Sequence, residues 1–141
     1  MILISEHTRG LLKQTWSDLS QIWLTDPQYE VITWNWLEKA VDECNLKDMT
    51  FMKGVWDCDN YALRFHAAVQ LYQYRLIESG ELSMKHSWAV GECIGFNEGF
   101  LGKGIHSQNL AITDKGIVLI EPQDGAIKEP DKSYVPFFVK F

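Results

Sequence analysis

Residues 57–79 read DCDNYALRFHAAVQLYQYRLIES, and they give the clearest structural signal in the chain. Their apolar members recur at spacings of three and four, as one face of an α-helix requires. They are Tyr61, Ala62, Phe65, Val69, Leu71, Tyr72 and Leu76. Asp57 is a helix start signal, and Ser79-Gly80 is a stop signal. The sequence therefore predicts a helix that opens at Asp57 and carries Cys58 in its first turn.

The region before this helix is also helical in pattern. A first apolar face ends near Asp26-Pro27 and consists of Leu11, Leu12, Trp16, Leu19, Ile22 and Trp23. Residues 29–32 then suit a short strand, and Thr33 can cap a second helix that runs to about Asn45.

The region after Lys85 changes to a strand-like period. Residues 105–113 and 117–122 flank an Asp114-Lys115-Gly116 turn, and residues 133–141 form a last apolar segment. Helices first and an antiparallel sheet afterwards predict an α+β fold. At 141 residues, the chain has the usual size of a single domain spanning 1–141.

Composition and charge restrict the function classes. The chain is 46% hydrophobic and 23% charged, as ordinary globular proteins are. A net charge of −6 without any basic run argues against a nucleic-acid partner. Three cysteines without CxxC spacing indicate a reduced compartment. The sequence shows neither a signal peptide nor a membrane span, so we expect a cytoplasmic protein.

Cys58 and His106 are the candidates for nucleophilic chemistry. The start of a helix places partial positive charge and free N–H groups at the Cys58 sulfur, which favours the thiolate. Asp57 and Asp59 oppose this effect because they flank the thiol. His106 begins a separate predicted strand, where a general base can be held by an acceptor behind its ring.

The third member of the site depends on the register of the predicted hairpin. With a two-residue loop at Asp114-Lys115, facing residue numbers sum to 229, so His106 faces Gln123 and Glu121 is its diagonal neighbour. A three-residue loop would turn Glu121 toward Asn109. Glu121 is thus a conditional carboxylate, and Asn109, Gln123 and Asp124 are its substitutes.

The remaining polar residues give weaker signals. Cys44 and Cys93 lack both a helix-start position and a plausible base. Among the other histidines, His7 lies near the terminus, His66 lies within the predicted helix about two turns beyond Cys58, and His86 opens a strand with no acidic partner on a neighbouring hairpin arm. Residues 95–104 read GFNEGFLGKG and suit either a loop beside the site or a plain surface connection. Oxygen ligands for a hard cation are present near the predicted site in Asp57, Asp59, Asn60, Glu121 and Asp124.

Four short motifs carry a family resemblance. WDCDNYAL around Cys58, the strand AVGECIG, then GIHSQNLAI and IVLIEPQDG resemble the papain-like cysteine protease domain of the agglutinin C-terminal family, found in fungal chimeric lectins. The match covers about residues 29–134.

The resemblance implies roles for individual residues. Cys58 would be the nucleophile, His106 the general base and Glu121 the residue that orients the imidazole, within a papain-like fold. Members of the family are calcium-activated, which would give the aspartates near Cys58 a use. This chain carries Asn60 where the family has a second aspartate, and it shows no lectin module.

We therefore expect a cysteine hydrolase, a peptidase or amidase that acts on a peptide or protein substrate. Trp56 would line the substrate groove, and Gln123 and Asn109 would support substrate or oxyanion. The alternative is a catalytically silent papain-like fold that acts as a small acidic binding or inhibitor protein. The sequence leaves the oligomeric state and metal dependence open.

Overall fold

The computed structural model describes residues 1–97 and 104–141. The helices are α1 (Ser5–Thr15), α2 (Trp34–Glu43) and α3 (Cys58–Glu78). The strands are β1 (Ile2–Ile4), β2 (Gln21–Trp23), β3 (Gln28–Glu30), β4 (Val90–Asn97), β5 (Gly104–Thr113), β6 (Gly116–Glu121), β7 (Ala126–Lys128) and β8 (Tyr134–Lys140). Within the expected glycine-rich loop, residues 98–103 lie outside the described residues, and the flanking residues belong to β4 and β5.

The main sheet has the strand order β2-β8-β4-β5-β6-β7 over the described residues. Its neighbours pair antiparallel from β8 through to β7, whereas β2 lies parallel to β8. A second, two-stranded sheet joins β1 to β3. The sheet therefore recruits one strand from the N-terminal part of the chain.

The two faces of the main sheet bury two separate cores. Ala111 packs with residues of α2 and α3, whereas Leu110 packs with Leu12 and Trp16 of α1 and its surroundings. This alternation follows from the two-residue period of a strand. The helices α2 and α3 thus cover one face, and α1 covers the other.

Helix α3 is 21 residues long and begins at Cys58, as the sequence predicts. Asp57 forms a capping box with Asn60, whose side-chain oxygen accepts from the Asp57 N–H at 3.2 Å. The helix ends at Glu78, followed by Gly80 with a φ of 80°. Local start and stop signals therefore fix both ends.

Strands β4 and β8 approach so closely that two positions accept only glycine. A Cβ on Gly91 would lie 2.2 Å from the Lys140 carbonyl oxygen, and a Cβ on Gly95 would lie 2.5 Å from that of Val135. Both obstacles are backbone atoms of a paired strand, which cannot move aside without breaking the ladder.

Two sequence predictions are corrected by these elements. The first helix does not continue to Asp26; α1 ends at Thr15, and Ile22 lies instead in β2. The sheet is not purely C-terminal and antiparallel, because Ile22 pairs in parallel with Val139 of β8. Burial against a strand more than 100 residues away overrides the local helical period of this segment.

Within the ranges 1–97 and 104–141, no helix combines the length and the apolar character needed to cross a membrane.

The glycine contact gives a test of the β4–β8 packing. We expect Gly91→Ala to lower the free energy of unfolding by about 3 kcal/mol, because the added methyl group overlaps a backbone oxygen. Gly10→Ala is the matched control: it lies within α1, where an added methyl group would meet no atom within 4 Å, and it should gain about 0.5–1 kcal/mol. Urea unfolding measures both changes. Equal stability of the two variants would contradict the close approach.

Candidate functional site

The β5–β6 hairpin brings His106 and Glu121 together. Thr113 pairs with Gly116 across the turn, so facing residues sum to 229 as a two-residue loop requires. His106 and Glu121 consequently project from the same face of the sheet. The His106 Nε2 atom lies 2.5 Å from Glu121 Oε2. The two-residue loop on which the predicted pairing of Glu121 with His106 depends is therefore present in the structure.

The second carboxylate oxygen of Glu121 also accepts a hydrogen bond. Glu121 Oε1 accepts from the Gln123 backbone N–H at 3.1 Å. Tyr134 donates its hydroxyl to the His106 carbonyl oxygen at 2.9 Å, and the two rings meet edge to face. The imidazole is thereby oriented by a fixed carboxylate, and its Nδ1 atom points away from that carboxylate. Gln123 contributes to this arrangement through its backbone N–H group.

Cys58 occupies the first position of α3 and is half-buried. The N-terminus of this helix directs partial positive charge and backbone N–H groups toward that position. Asp57 and Asp59 share a side-chain hydrogen bond, which lowers the pKa of Asp57 and raises the pKa of Asp59. The Gly54 N–H also donates to Asp57 at 2.8 Å. The flanking carboxylates are thus engaged with one another and with the backbone.

The thiols of Cys44 and Cys93 are buried, and their chemistry therefore differs from that of Cys58. Burial raises the pKa of Cys44 to about 11 and that of Cys93 to about 12. The Cys93 thiol donates to the Gln108 carbonyl oxygen at 3.5 Å inside the core. Both cysteines are therefore structural, as the sequence indicates.

The thiol and the histidine are not joined directly. No hydrogen bond links Cys58 to His106 among the residues that the structure describes. His106 projects from the face that Gln108 and Leu110 share, whereas α3 packs on the opposite face. Tyr134 donates a hydrogen bond to the His106 carbonyl oxygen; burial is the main cause of its raised pKa, and the charges of Cys93 and then Cys58 raise it further. Chemistry that uses both groups requires them to approach one another.

Asn109 and Trp56 lie on the α3 side of the sheet. Asn109 is fully buried and donates to the Ala62 carbonyl oxygen at 2.9 Å and to that of Gly91 at 3.0 Å. Trp56 is half-buried and packs edge-on against Tyr61 with ring centroids 5.6 Å apart. Asn109 thus ties α3 to the sheet. Asp124 caps a turn by accepting from the Ala126 N–H.

A second histidine–carboxylate pair was missed from the sequence. His66 Nδ1 lies 2.7 Å from Glu92 Oε2, and its Nε2 lies 3.2 Å from the Gln70 amide nitrogen. His66 is buried between α3 and β4. The two residues stand 26 positions apart on a helix and a strand, so no local motif could have paired them.

In the described part of the chain, no group of three or more histidine, cysteine, aspartate or glutamate side chains is arranged to hold a metal ion. The calcium dependence that the resemblance implies stays a prediction.

Two solved structures share this fold over 99% of the chain. One is the PSL1a–E64 complex, with a TM-score of 0.79 and 18% sequence identity; this chain covers 50% of it. The other is Polyporus squamosus lectin bound to the human-type influenza-binding epitope Neu5Aca2-6Galb1-4GlcNAc, with a TM-score of 0.77 and 18% identity; this chain covers 49% of it. The chain therefore spans about half the length of these proteins.

No family model matches the chain, and no curated protein matches it.

These matches correct the family identification. Both solved structures are of a lectin, so the identification as a papain-like cysteine protease domain, and the papain-like fold class with it, was wrong. The short motifs that suggested it have structural uses here: Asp57 caps a helix, and Asn109 ties that helix to the sheet.

The functional predictions built on that identification are corrected with it. The lectin neighbours do not support a cysteine peptidase or amidase, a silent papain-like binder, or a peptide or protein substrate. The ligand seen with one of these neighbours is a sialylated glycan.

The geometry predicts which thiol reacts. We expect iodoacetamide at neutral pH to alkylate Cys58 in the native protein and to spare Cys44 and Cys93, whose raised pKa values keep them protonated. Peptide mass spectrometry after a brief pulse measures the modification, and urea-unfolded protein, in which all three should react, is the control. Preferential labelling of Cys44 or Cys93 in native protein would contradict the assignment.

Proposed function

We propose that residues 1–141 form one domain of a glycan-binding protein. The observation that supports this proposal is the shared fold with a lectin over 99% of the chain. A shared fold alone does not carry a binding site with it. The contact surface of this chain is determined by its own residues.

The surface best suited to a sugar ring surrounds Trp23 on the edge strand β2. The Trp23 side chain is 61% exposed, and its ring lies 5.9 Å from that of Phe138 on β8. The face of an indole ring is electron-rich and attracts the C–H groups on the apolar face of a hexose. Lys140 pairs with Trp23 in the sheet, and Gln21 is exposed two residues earlier. Both can bond sugar hydroxyls or a carboxylate.

This surface leads to a direct binding test. We expect Trp23→Ala to weaken binding of the sialylated trisaccharide Neu5Aca2-6Galb1-4GlcNAc by about tenfold or more, because the stacking platform is lost. Phe51→Ala is the matched control, since it removes another aromatic ring of similar exposure, 51%, from a different surface. Isothermal titration calorimetry gives both affinities.

A wild-type chain that binds neither this trisaccharide nor any member of a glycan array would contradict the proposal for this chain. Equal losses in the two variants would contradict the placement at Trp23.

We propose in addition that Cys58, His106 and Glu121 form a reactive-thiol site. The position of Cys58 at the N-terminus of a 21-residue helix supports this assignment, and one structural neighbour was solved in complex with E64. In alkylation, the Cys58 sulfur forms a bond to the electrophilic carbon as the leaving group departs. Once Cys58 and His106 have approached one another, His106 takes the thiol proton, and Glu121 stabilises the resulting imidazolium.

Neighbouring groups support this second proposal. The Gln123 backbone N–H holds Glu121 in place, and Trp56 stands two residues before Cys58, where it can flank a ligand. All three cysteines are free, which suits a reducing compartment such as the cytoplasm. The cytoplasmic location is part of the proposal.

The role of the histidine pair can be measured separately from glycan binding. We expect His106→Ala and Glu121→Gln each to slow alkylation of Cys58 by about tenfold or more at neutral pH, because the thiolate loses its base or the orientation of that base. His7→Ala, an exposed histidine on α1, is the control. Rates are followed with iodoacetamide and with E64. Unchanged rates in both variants would show that Cys58 reacts without His106.

A further inference from the structure

His106 and Glu121 meet beyond the end of the β5–β6 ladder. In the described residues, the pairing of these two strands ends at Asn109 and Ile120. His106 lies three residues past Asn109, and Glu121 already pairs with Ala126 of β7. Ladder hydrogen bonds fix the spacing of two strands only where they are made. The distance between the imidazole and the carboxylate therefore depends on other contacts.

Strand β4 leaves a space beside the imidazole. Gly95 lies directly opposite His106 on β4, and an added Cβ there would lie 2.5 Å from the Val135 carbonyl oxygen. The neighbouring side chain comes instead from β8, on the far side of β4: the ring centroid of Tyr134 lies 6.3 Å from that of His106, with the ring planes at 81°. Aromatic pairs favour this edge-to-face arrangement. The Tyr134 ring therefore limits how far the imidazole can turn.

Tyr134 also holds the backbone at the end of β5. Its hydroxyl donates to the His106 carbonyl oxygen at 2.9 Å. The same hydroxyl oxygen lies 3.7 Å from Cys93 Sγ, and the Cys93 thiol donates to the Gln108 carbonyl oxygen at 3.5 Å. One side chain thus links β8 to β4 and to the part of β5 that extends past the ladder.

The hydroxyl of Tyr134 is a constant donor. The residue is 1% exposed, and burial is the main cause that raises its pKa above the usual range. The phenol therefore keeps its proton throughout the pH range in which histidines and thiols titrate. Removing a buried donor leaves its acceptor unsatisfied. The bond to the His106 carbonyl oxygen consequently persists whether the imidazole is neutral or charged.

We propose that Tyr134 is the positioning residue of His106: its hydroxyl holds the end of β5, and its ring holds the imidazole where Nε2 reaches Glu121. This role depends on the reactive-thiol site proposed above, because His106 is the base of that site. Tyr134 acts through His106 and not on the reacting atoms.

A positioning role differs from a core role in its local effects. Tyr134 packs in the core cluster that contains Leu110 and Val139. If it served that core alone, loss of its hydroxyl would lower stability without changing the chemistry of the folded protein. A positioning role adds a looser end of β5 and a slower base-assisted reaction at Cys58.

Hydrogen exchange measures the first effect without any thiol chemistry. Tyr134→Phe keeps the ring and removes the hydroxyl. We expect the backbone N–H groups of residues 105–107 to exchange about tenfold faster in this variant, because the end of β5 loses a buried hydrogen bond. Those of residues 110–112, inside the β5–β6 ladder, should stay within about twofold of wild type. NMR of labelled protein gives both sets of rates.

Alkylation of Cys58 by iodoacetamide measures the second effect. At about pH 7 we expect Tyr134→Phe to react about fivefold more slowly than wild type, because the base is held less well. At about pH 10 the two rates should agree within about twofold, since solvent ionises a thiol there without a base. A variant that was only partly folded would not show this convergence.

Tyr29→Phe is the matched control. Tyr29 is also 1% exposed and lies in the same core cluster, and its hydroxyl accepts from the Asp26 N–H at 2.9 Å, away from the hairpin. This variant should keep wild-type exchange at the end of β5 and wild-type alkylation rates at both pH values. Urea unfolding checks that both variants are folded under the conditions used.

The outcomes separate this inference from the thiol proposal. A wild-type rate in Tyr134→Phe beside a slow His106→Ala would overturn the positioning role alone, even if the end of β5 exchanged faster. Unchanged exchange at residues 105–107 would overturn it as well. A wild-type rate in both His106→Ala and Glu121→Gln would overturn the thiol proposal, and the positioning role with it.

Discussion

The buried amide of Asn109 is the contact on which the arrangement of the site depends. Its nitrogen donates to the carbonyl oxygens of Ala62 and Gly91, so one side chain joins α3, β4 and β5. Ala62 lies one helical turn beyond Cys58, and the bond therefore sets the height of the helix N-terminus over the sheet. Asn109 Oδ1 is buried with no partner among the described residues. That cost is offset by the two bonds of the amide nitrogen.

The features that could be predicted from the sequence are those with local causes. Asp57 fixes the start of α3 because a side-chain cap needs only neighbouring residues. The two-residue turn at Asp114-Lys115 fixes the hairpin register, and that register places Glu121 beside His106. Each of these features depends only on residues within one helix start or one hairpin, where chain connectivity limits the geometry.

The features that could not be predicted arise from contacts between distant segments. Ile22 continues the helical period of α1, yet β8 draws it into the sheet, and nothing near Ile22 indicates that pairing. The His66–Glu92 pair likewise needs the packing of α3 on β4 before it exists. The family identification failed for a related reason: short motifs around Cys58 and His106 describe a cap and a turn, which different proteins can share.

The order of strands has a consequence for biosynthesis. Strand β8 comes after the other seven strands of the described residues in sequence, yet it lies between β2 and β4 in the interior of the sheet. While the ribosome is still adding residues before Tyr134, β2 has no neighbour and the β4 edge stays open. Unpaired edges attract other chains. The nascent protein thus passes through an aggregation-prone interval that lasts until β8 emerges, a period in which chaperones would be of most use.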